Sequence, residues 1–191
     1  MSQIQKYSSV KGSLQSQANK LQISVAQAFL DAEIIVLLDV SASMLVRDHD
    51  SASDTRYKRA CNQLAKLQSE NPGKVALVCF DDQQTFEASG IARYPGASTD
   101  IAGALSFVHK ADDCGIRFVL ISDGEPNDET SALAEARKFK STIHTIYIGP
   151  EGGYGADFLR RLSALTGGQF SNSGVAGIGQ LSQTVQNLLS V

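Results

Sequence analysis

Three oxygen-bearing side chains follow the most apolar stretch of the sequence. Asp39, Ser41 and Ser43 come at every second position directly after residues 34–38, which read IIVLL. A carboxylate and two hydroxyls are hard oxygen donors, which suit magnesium, manganese and calcium. An uninterrupted apolar run of this length is typical of a strand buried on both faces of a parallel sheet. Because ligands of open parallel sheets gather at the carboxyl ends of strands, the stretch predicts a divalent-cation site there.

Two further oxygen donors follow other segments of the chain. Thr99 stands at the N-cap position of a predicted helix after a glycine-containing loop, and Asp123 follows a later apolar run. The predicted cation site therefore consists of Asp39, Ser41, Ser43, Thr99 and Asp123. Magnesium, which takes octahedral oxygen ligands and keeps waters, is the expected cation, with manganese and calcium as alternatives. Zinc is not expected, because none of these five residues is a cysteine or a histidine.

Apolar runs alternate with amphipathic segments along the chain. The runs predict buried strands at residues 33–39, 74–80, 116–122 and 142–148, and shorter strands at 85–88 and 169–171. Apolar residues at three- and four-residue spacing predict helices between the strands. These helices are expected at residues 13–30, from a cap at 54 or 55 to 68, and at 100–111, 131–140, 156–166 and 177–189.

Strands that alternate with helices imply crossover connections and a mainly parallel sheet covered on both faces. The expected fold class is therefore a doubly wound, Rossmann-like α/β domain, which is a three-layer sandwich. Residues 32–191 are expected to form this domain, after an arm and an amphipathic helix within residues 1–31. The apolar stripe of that helix either packs on the domain itself or serves as a docking or oligomerisation surface, and the sequence leaves both open.

Composition excludes several classes of function. The chain has 191 residues with a formal net charge of -3, so it has no electrostatic footprint for nucleic acid and no basic face for a membrane. No apolar run approaches the roughly 20 residues of a membrane span, and the N-terminus lacks a signal-type apolar core. Cys61, Cys79 and Cys114 are expected to be reduced thiols, with Cys79 in the core. These features favour a cytoplasmic protein.

The three oxygen-donor segments together resemble the metal-ion-dependent adhesion site of von Willebrand factor A (vWA) domains. The matching motifs are Asp-x-Ser-x-Ser at residues 39–43, Thr99 within GASTDI, and Asp123 within ISDG. The resemblance extends over residues 32–191, and no position of the five-residue site is missing. It implies an antiparallel edge strand at residues 85–88 of the mainly parallel sheet.

The resemblance also implies a role for each site residue. Ser41 and Ser43 are expected to bind the cation directly, and Asp39 often through water. Thr99 is expected to coordinate in an open form of the site, and Asp123 to act directly or through water. The implied function is protein binding rather than catalysis, with an Asp or Glu of a partner completing the cation's shell. Stand-alone intracellular domains of this kind in bacteria and phages often serve as adaptors in assemblies, some with AAA+ ATPases.

Other readings of the same residues stay open, with weaker support. A haloacid-dehalogenase-like phosphatase needs a second aspartate where Ser41 stands, and a serine hydrolase needs a Gly-x-Ser-x-Gly turn that the sequence lacks. A metal-dependent phosphoesterase would need a general base from residues 125–129 or from His49. A structural module whose cation only stabilises the loops is the third alternative. The glycines of residues 149–155 match no nucleotide-binding spacing and predict a strand-to-helix connection.

Overall fold

Six strands form one sheet in the computed structural model, which describes residues 8–48, 54–150 and 152–172. The strand order is β3-β2-β1-β4-β5-β6, which is the order of a Rossmann-like sheet. The five pairings are parallel except that of β2 with β3, which is antiparallel at the sheet edge. The predicted fold class is thereby confirmed. The strands are β1 Ile34–Asp39, β2 Val75–Phe80, β3 Gln84–Phe86, β4 Arg117–Ser122, β5 Ile143–Tyr147 and β6 Phe170–Asn172.

The central strands are buried on both faces because helices cover the sheet on each side. Every residue of β1, β2 and β5 is buried. Alternate residues along each strand point to opposite faces, so the apolar runs divide into two separate core clusters. The helices are α1 Leu14–Leu21, α2 Val25–Phe29, α3 Arg56–Glu70, α4 Ile101–Val108, α5 Glu129–Ala136 and α6 Tyr154–Leu165. Helix α3 contributes to one cluster, and the other five helices contribute to the other.

The predicted single helix at residues 13–30 is wrong, because the chain forms two helices there. Gln22 adopts a left-handed conformation (φ 57°, ψ 39°) and ends α1. Ser24 then begins α2 through a capping box: its hydroxyl accepts from the Gln27 N–H, and the Gln27 side chain accepts from the Ser24 N–H. The Ser-x-x-Gln spacing is the local signal for this second start, and it overrides the continuous apolar spacing.

The N-terminal helices pack on the domain itself. Leu14, Ala18 and Ala28 are buried in the same cluster as the strand residues of one sheet face. Two backbone hydrogen bonds join the segment to the chain after β3, from the Val10 N–H to the Ser89 carbonyl and from the Gln15 N–H to the Ala88 carbonyl. The inward-facing residues of this apolar stripe therefore pack on the domain itself, which is the first of the two predicted alternatives.

The cap of α4 also differs from the prediction. Asp100, not Thr99, is the N-cap, and its carboxylate accepts a hydrogen bond from the Gly103 N–H at 2.9 Å. Asp100 lies one residue closer to the helix, and its carboxylate reaches the free N–H groups of the first turn. Thr99 is instead buried in the loop before the helix. The prediction that Thr99 caps α4 is therefore wrong.

The remaining helix bounds agree with the prediction to within a few residues. Thr55 caps α3 by accepting from the Lys58 N–H. The predicted helix at 100–111 ends earlier, since residues His109–Cys114 form a 3-10 helix. The predicted closing helix at 177–189 lies outside the described residues. Among the described residues, no helix has the length and apolar character needed to cross a membrane.

An ion pair fixes the loop between β3 and α4. Arg93 donates to both carboxylate oxygens of Asp81, at 2.6 Å and 2.8 Å. The backbone carbonyl of Asp81 accepts from the Asp100 N–H at 2.8 Å. Gly96 packs so closely that a Cβ atom there would lie 1.9 Å from Asp81 Oδ2. These contacts tie the loop that carries Thr99 to the carboxyl end of β2.

Replacing Asp81 with Asn should lower the free energy of unfolding at neutral pH by about 2 kcal/mol. The bonds from Arg93 lower the pKa of Asp81 from its ordinary value of 3.8 to about 2, and each pKa unit corresponds to about 1.4 kcal/mol. Because the pKa of Asp81 is lower in the folded chain, its ionised carboxylate stabilises the fold at pH values above the unfolded pKa of 3.8. This stabilisation is lost as the pH falls from 3.8 through about 2. Denaturant titrations at pH 7 and at pH 2.5 should therefore show a difference between the two chains that shrinks in acid.

Asp113→Asn is the matched control for this prediction, because the ion pair of Asp113 with Lys140 is solvent-exposed. An exposed pair of this kind stabilises a fold by less than about 1 kcal/mol. Equal losses of stability in the two variants would contradict the assigned role of Asp81.

Candidate metal centre

Asp39 ends β1 and is completely buried. Its Oδ1 accepts from the Ser41 N–H at 2.8 Å, and its Oδ2 accepts from the Ser122 hydroxyl at 2.6 Å. Ser122 is the last residue of β4, the strand next to β1 in the sheet. Asp39 is thereby held between the ends of two parallel strands, in the position where the sequence predicted a cation site.

Ser41 and Ser43 lie in the loop that leaves β1. This loop forms a 3-10 helix at Ala42–Leu45, with Ser41 at its N-cap. The tight turn brings the two serine hydroxyls to 2.9 Å from each other. Met44, the residue after Ser43, is fully buried and anchors the turn in the core. The Asp-x-Ser-x-Ser spacing therefore places a carboxylate and two hydroxyls in one short turn.

Asp123 follows β4 and lies beside Asp39, close enough for its charge to raise the pKa of Asp39. The turn after it is closed by the Gly124 N–H, which donates to the Ser122 hydroxyl at 2.8 Å. Ser122 thus bonds to Asp39 and also fixes the backbone next to Asp123. The two predicted carboxylate ligands come together at the ends of β1 and β4.

The loop of Thr99 is joined to the loop of Asp123 by a pair of hydrogen bonds. The Thr99 N–H donates to Asn127 Oδ1 at 3.1 Å, and the Asn127 N–H donates to the Thr99 carbonyl at 2.9 Å. The structure therefore brings all three predicted segments to one edge of the sheet. The assignment of the five side chains as metal ligands stays a prediction.

Two carboxylates are buried side by side at the site, and a positive charge there would stabilise them. Burial and, to a smaller extent, the neighbouring charge of Asp123 raise the pKa of Asp39 to about 7, against the lowering effect of the bonds from Ser122 and Ser41. Asp123 Oδ1 is buried and has no hydrogen-bond partner among the described residues. A buried carboxylate oxygen without a partner is costly, and a bound cation would satisfy it. The donors present therefore fit a hard divalent cation.

The predicted site contains fewer acidic residues than a metal site built from His, Cys, Asp and Glu side chains. Within the described ranges, no three histidine, cysteine or acidic residues lie together as a metal-holding group. The predicted site has two carboxylates, and its other donors are hydroxyls. Such a set is characteristic of sites that hold magnesium or manganese with retained waters.

A cationic network that the sequence reasoning missed borders the site. Arg56, the first residue of α3, donates to Asp123 Oδ2 at 3.2 Å and to Asp48 Oδ1 at 2.8 Å and 2.9 Å. Arg59 also pairs with Asp48. Burial raises the pKa of Asp48, but the bonds from the two guanidinium groups outweigh this effect and hold it below its usual range. The network fixes one oxygen of Asp123 and leaves the other unpaired.

One signal in the sequence pointed to Arg56. A basic residue in the first turn of a helix opposes the helix dipole, so Arg56 directly after the Thr55 cap suggests a specific acidic partner. The identity of that partner could not be read from the sequence, since Asp123 lies 67 residues away. Ser122 belongs to the ISDG motif. Its bond to Asp39 could not be predicted from that motif, because the bond forms only when β1 and β4 pair in the sheet.

Two acidic residues of the 125–129 segment, which was the predicted source of a general base, make structural contacts. Asp128 caps α5, and Glu129 accepts from the Tyr154 hydroxyl at 2.6 Å and pairs with Arg161 at 2.7 Å. His49, the other predicted base, lies outside the described residues.

Similarity to solved structures identifies the fold. No protein-family model and no curated protein matches the sequence. The chain is similar to the manganese-loaded TRAP protein of Plasmodium vivax (20% identity, TM-score 0.52, 71% of this chain and 63% of that chain). It is also similar to the von Willebrand factor type A structure from Catenulispora acidiphila (14%, 0.59, 82% and 42%). A third similar structure is proximal thread matrix protein 1 of the mussel byssus (17%, 0.57, 91% and 51%).

These similarities show that the chain has the vWA fold. The chain spans 42% to 63% of the length of these three structures. The bound manganese belongs to the Plasmodium protein.

Proposed function

We propose that this vWA-fold chain is a protein-interaction module that binds its partner through a divalent cation. Asp39, Ser41, Ser43, Thr99 and Asp123 hold the cation, and an Asp or Glu of the partner completes its shell. The observation that carries the proposal is Asp123 Oδ1, which is buried beside the fully buried Asp39 and has no partner among the described residues.

Magnesium is the proposed cation in the cell, with manganese and calcium as substitutes. Two carboxylates and several hydroxyls supply fewer charges than calcium usually takes, and magnesium retains waters readily. Manganese accepts similar ligands, and the similar Plasmodium protein was solved with manganese. The site would thus keep an exchangeable water where the partner's carboxylate enters.

The charge around the site favours an acidic ligand. With a divalent cation bound, the carboxylates of Asp39, Asp123 and Asp48 and the guanidinium groups of Arg56 and Arg59 leave one positive charge in excess. An incoming carboxylate would neutralise this charge in a partly buried environment, where electrostatic attraction is stronger than in water. This excess charge is the reason to propose capture of an anionic side chain rather than a neutral one.

We also propose that the site binds rather than catalyses, and that the chain works inside the cell as a bacterial or phage adaptor in an assembly. An AAA+ ATPase is one proposed member of that assembly. Copurification of such an ATPase in magnesium, with release by EDTA, would support this part of the proposal. Copurification that EDTA leaves unchanged would contradict it.

Two matched peptide libraries test the proposed function. One displays random peptides with a fixed central Asp, and the other displays the same peptides with a central Asn. In magnesium, the immobilised chain should retain clones from the Asp library that EDTA then releases, and it should retain none from the Asn library. Equal numbers of EDTA-released clones from both libraries, or none from either, would overturn the proposal.

A further inference from the structure

Two strongly exposed tyrosines lie beside the candidate metal centre. Tyr94 is 74% exposed and Tyr154 is 65% exposed. Tyr94 lies in the loop before α4 and Tyr154 is the first residue of α6, and each is close in sequence to a residue that contacts the site. Tyrosine is enriched at protein interfaces, where aromatic side chains contribute much of the binding energy.

Tyr94 lies in a loop that is hydrogen-bonded to the chain directly after β1. Its ring meets the ring of Tyr57 edge-on, with 6.4 Å between the centroids. The Tyr57 hydroxyl donates to the Ala92 carbonyl at 3.0 Å. Two residues after Tyr94, the Gly96 N–H donates to the carbonyl of Val40, the residue that follows Asp39. Tyr94 therefore stands on a loop that is bonded directly to the site.

Tyr154 is fixed on the side of Asp123. Its hydroxyl donates to Glu129 at 2.6 Å, and Glu129 is also held by Arg161. The next residue, Gly155, touches the backbone of Asp123 so closely that a Cβ atom there would lie 2.0 Å from the Asp123 carbonyl oxygen. Since adjacent Cα atoms are about 3.8 Å apart, Tyr154 begins within about 8 Å of Asp123.

Val46 adds a third apolar side chain to this rim, and it is also exposed. Its N–H donates to the carbonyl of Ser43 at 3.1 Å, and its own carbonyl accepts from the Arg56 N–H at 3.1 Å. Val46 thus lies between a predicted ligand and the arginine that holds Asp123. Apolar groups therefore come from the loop after β1, the loop before α4 and the first residue of α6.

We propose that Tyr94, Tyr154 and Val46 form an apolar rim that selects partners whose acidic residue is flanked by apolar or aromatic side chains. The inference rests on the proposed function, because the acidic residue is held by the cation. The two rings are already held by their neighbours, so binding costs them little conformational entropy. Apolar partner residues packed on the rim would also exclude water from the new cation–carboxylate contact and strengthen it.

Sequences of the clones selected from the Asp library test this inference. Clones released by EDTA should carry a Leu, Ile, Phe, Tyr or Trp within three positions of the fixed Asp far more often than the unselected library. One selected peptide is then synthesised and titrated into variants of the full chain. Tyr94→Ser and Tyr154→Ser should each weaken its binding about 10-fold, which corresponds to about 1.4 kcal/mol.

Three controls separate the rim from general effects. Tyr154→Phe keeps the ring but loses the bond to Glu129, and it should bind the peptide within about threefold of the wild type. Phe107→Ser changes an exposed aromatic residue on α4, next to Val108, which lines an apolar groove with Ile35 and Ala76 at the amino ends of the strands. This variant should leave peptide binding unchanged. All variants should bind Mn²⁺ with wild-type affinity, which shows that the site itself is intact.

The possible outcomes test the apolar rim separately from the proposed cation-dependent binding. EDTA-released clones without apolar enrichment, or tyrosine variants that bind the peptide as tightly as the wild type, would overturn the rim and leave the proposed function standing. An Asp library that yields no EDTA-released clone would overturn the proposed function, and the rim with it.

Discussion

The Asp39→Asn variant should bind Mn²⁺ at least about 100-fold more weakly than the wild-type chain, while its metal-free form keeps the fold. Asp39 is one of only two carboxylates at the site, and it is completely buried between the ends of β1 and β4. Removing its charge takes away about half of the negative charge that faces the cation in a region of low dielectric. A loss of 100-fold corresponds to about 2.7 kcal/mol.

The metal-free variant should be as stable as the wild type or more stable. Asparagine has the shape of aspartate, and its carbonyl oxygen can still accept from the Ser41 N–H. The variant also removes a buried charge that lies beside Asp123, and burying such a charge without a cation is costly. Calorimetric titration with Mn²⁺ and thermal unfolding in EDTA measure the two effects separately.

Asp113→Asn serves as the control for this change as well, because it removes an exposed aspartate outside the five-residue site. Its Mn²⁺ affinity should equal that of the wild type. A metal-free Asp39→Asn chain that is unfolded would mean that Asp39 is structural. A folded variant with wild-type Mn²⁺ affinity would remove Asp39 from the ligand set.

The Gly155→Ala variant should lose about 3 kcal/mol of unfolding free energy and bind Mn²⁺ more weakly. An added Cβ atom would lie 2.0 Å from the Asp123 carbonyl oxygen and 2.8 Å from the Gly124 carbonyl carbon. Both contacts are with backbone, so no flexible side chain can move aside, and overpacking of this kind typically costs 1–3 kcal/mol or more. The strain should displace the loop that carries Asp123, which is a predicted ligand of the cation.

Gly152→Ala is the comparison for this variant. Gly152 has φ 75°, and an added Cβ atom there meets no atom within 4 Å. It should therefore cost only about 1 kcal/mol, from the left-handed conformation alone, and leave Mn²⁺ affinity unchanged. If denaturant unfolding and Mn²⁺ titration gave the same values for both variants, the close contact of α6 with the Asp123 loop would have no functional weight.

The sheet could be predicted from the sequence because its central strands are buried on both faces. Residues 34–38 and 75–80 are continuous apolar runs, and strands of a sheet covered on both faces bury such runs completely. Four of the five oxygen donors could be located for the same reason, since parallel strands end at one edge of the sheet, whereas Thr99 was placed by the predicted start of a helix. The antiparallel edge strand was expected from the resemblance to vWA domains.

Local capping chemistry and long-range pairing could not be predicted in the same way. The helix breaks at Gln22 because the Ser24 capping box begins a new helix, and apolar spacing alone does not reveal a capping box. Asp100 rather than Thr99 caps α4, because one residue decides which side chain reaches the first turn. The bond from Arg56 to Asp123 joins residues far apart in the sequence and depends on the whole fold.

Water-proton relaxation of the manganese-loaded chain tests most directly whether a partner's carboxylate completes the cation's shell. Mn²⁺ bound at the site should keep an exchangeable water and raise the relaxation rate of the solvent protons. Adding a selected Asp peptide should lower that rate as the carboxylate displaces the water, and the same peptide with Asn should leave the rate unchanged. An Asp peptide that saturates the chain without lowering the rate would contradict the account.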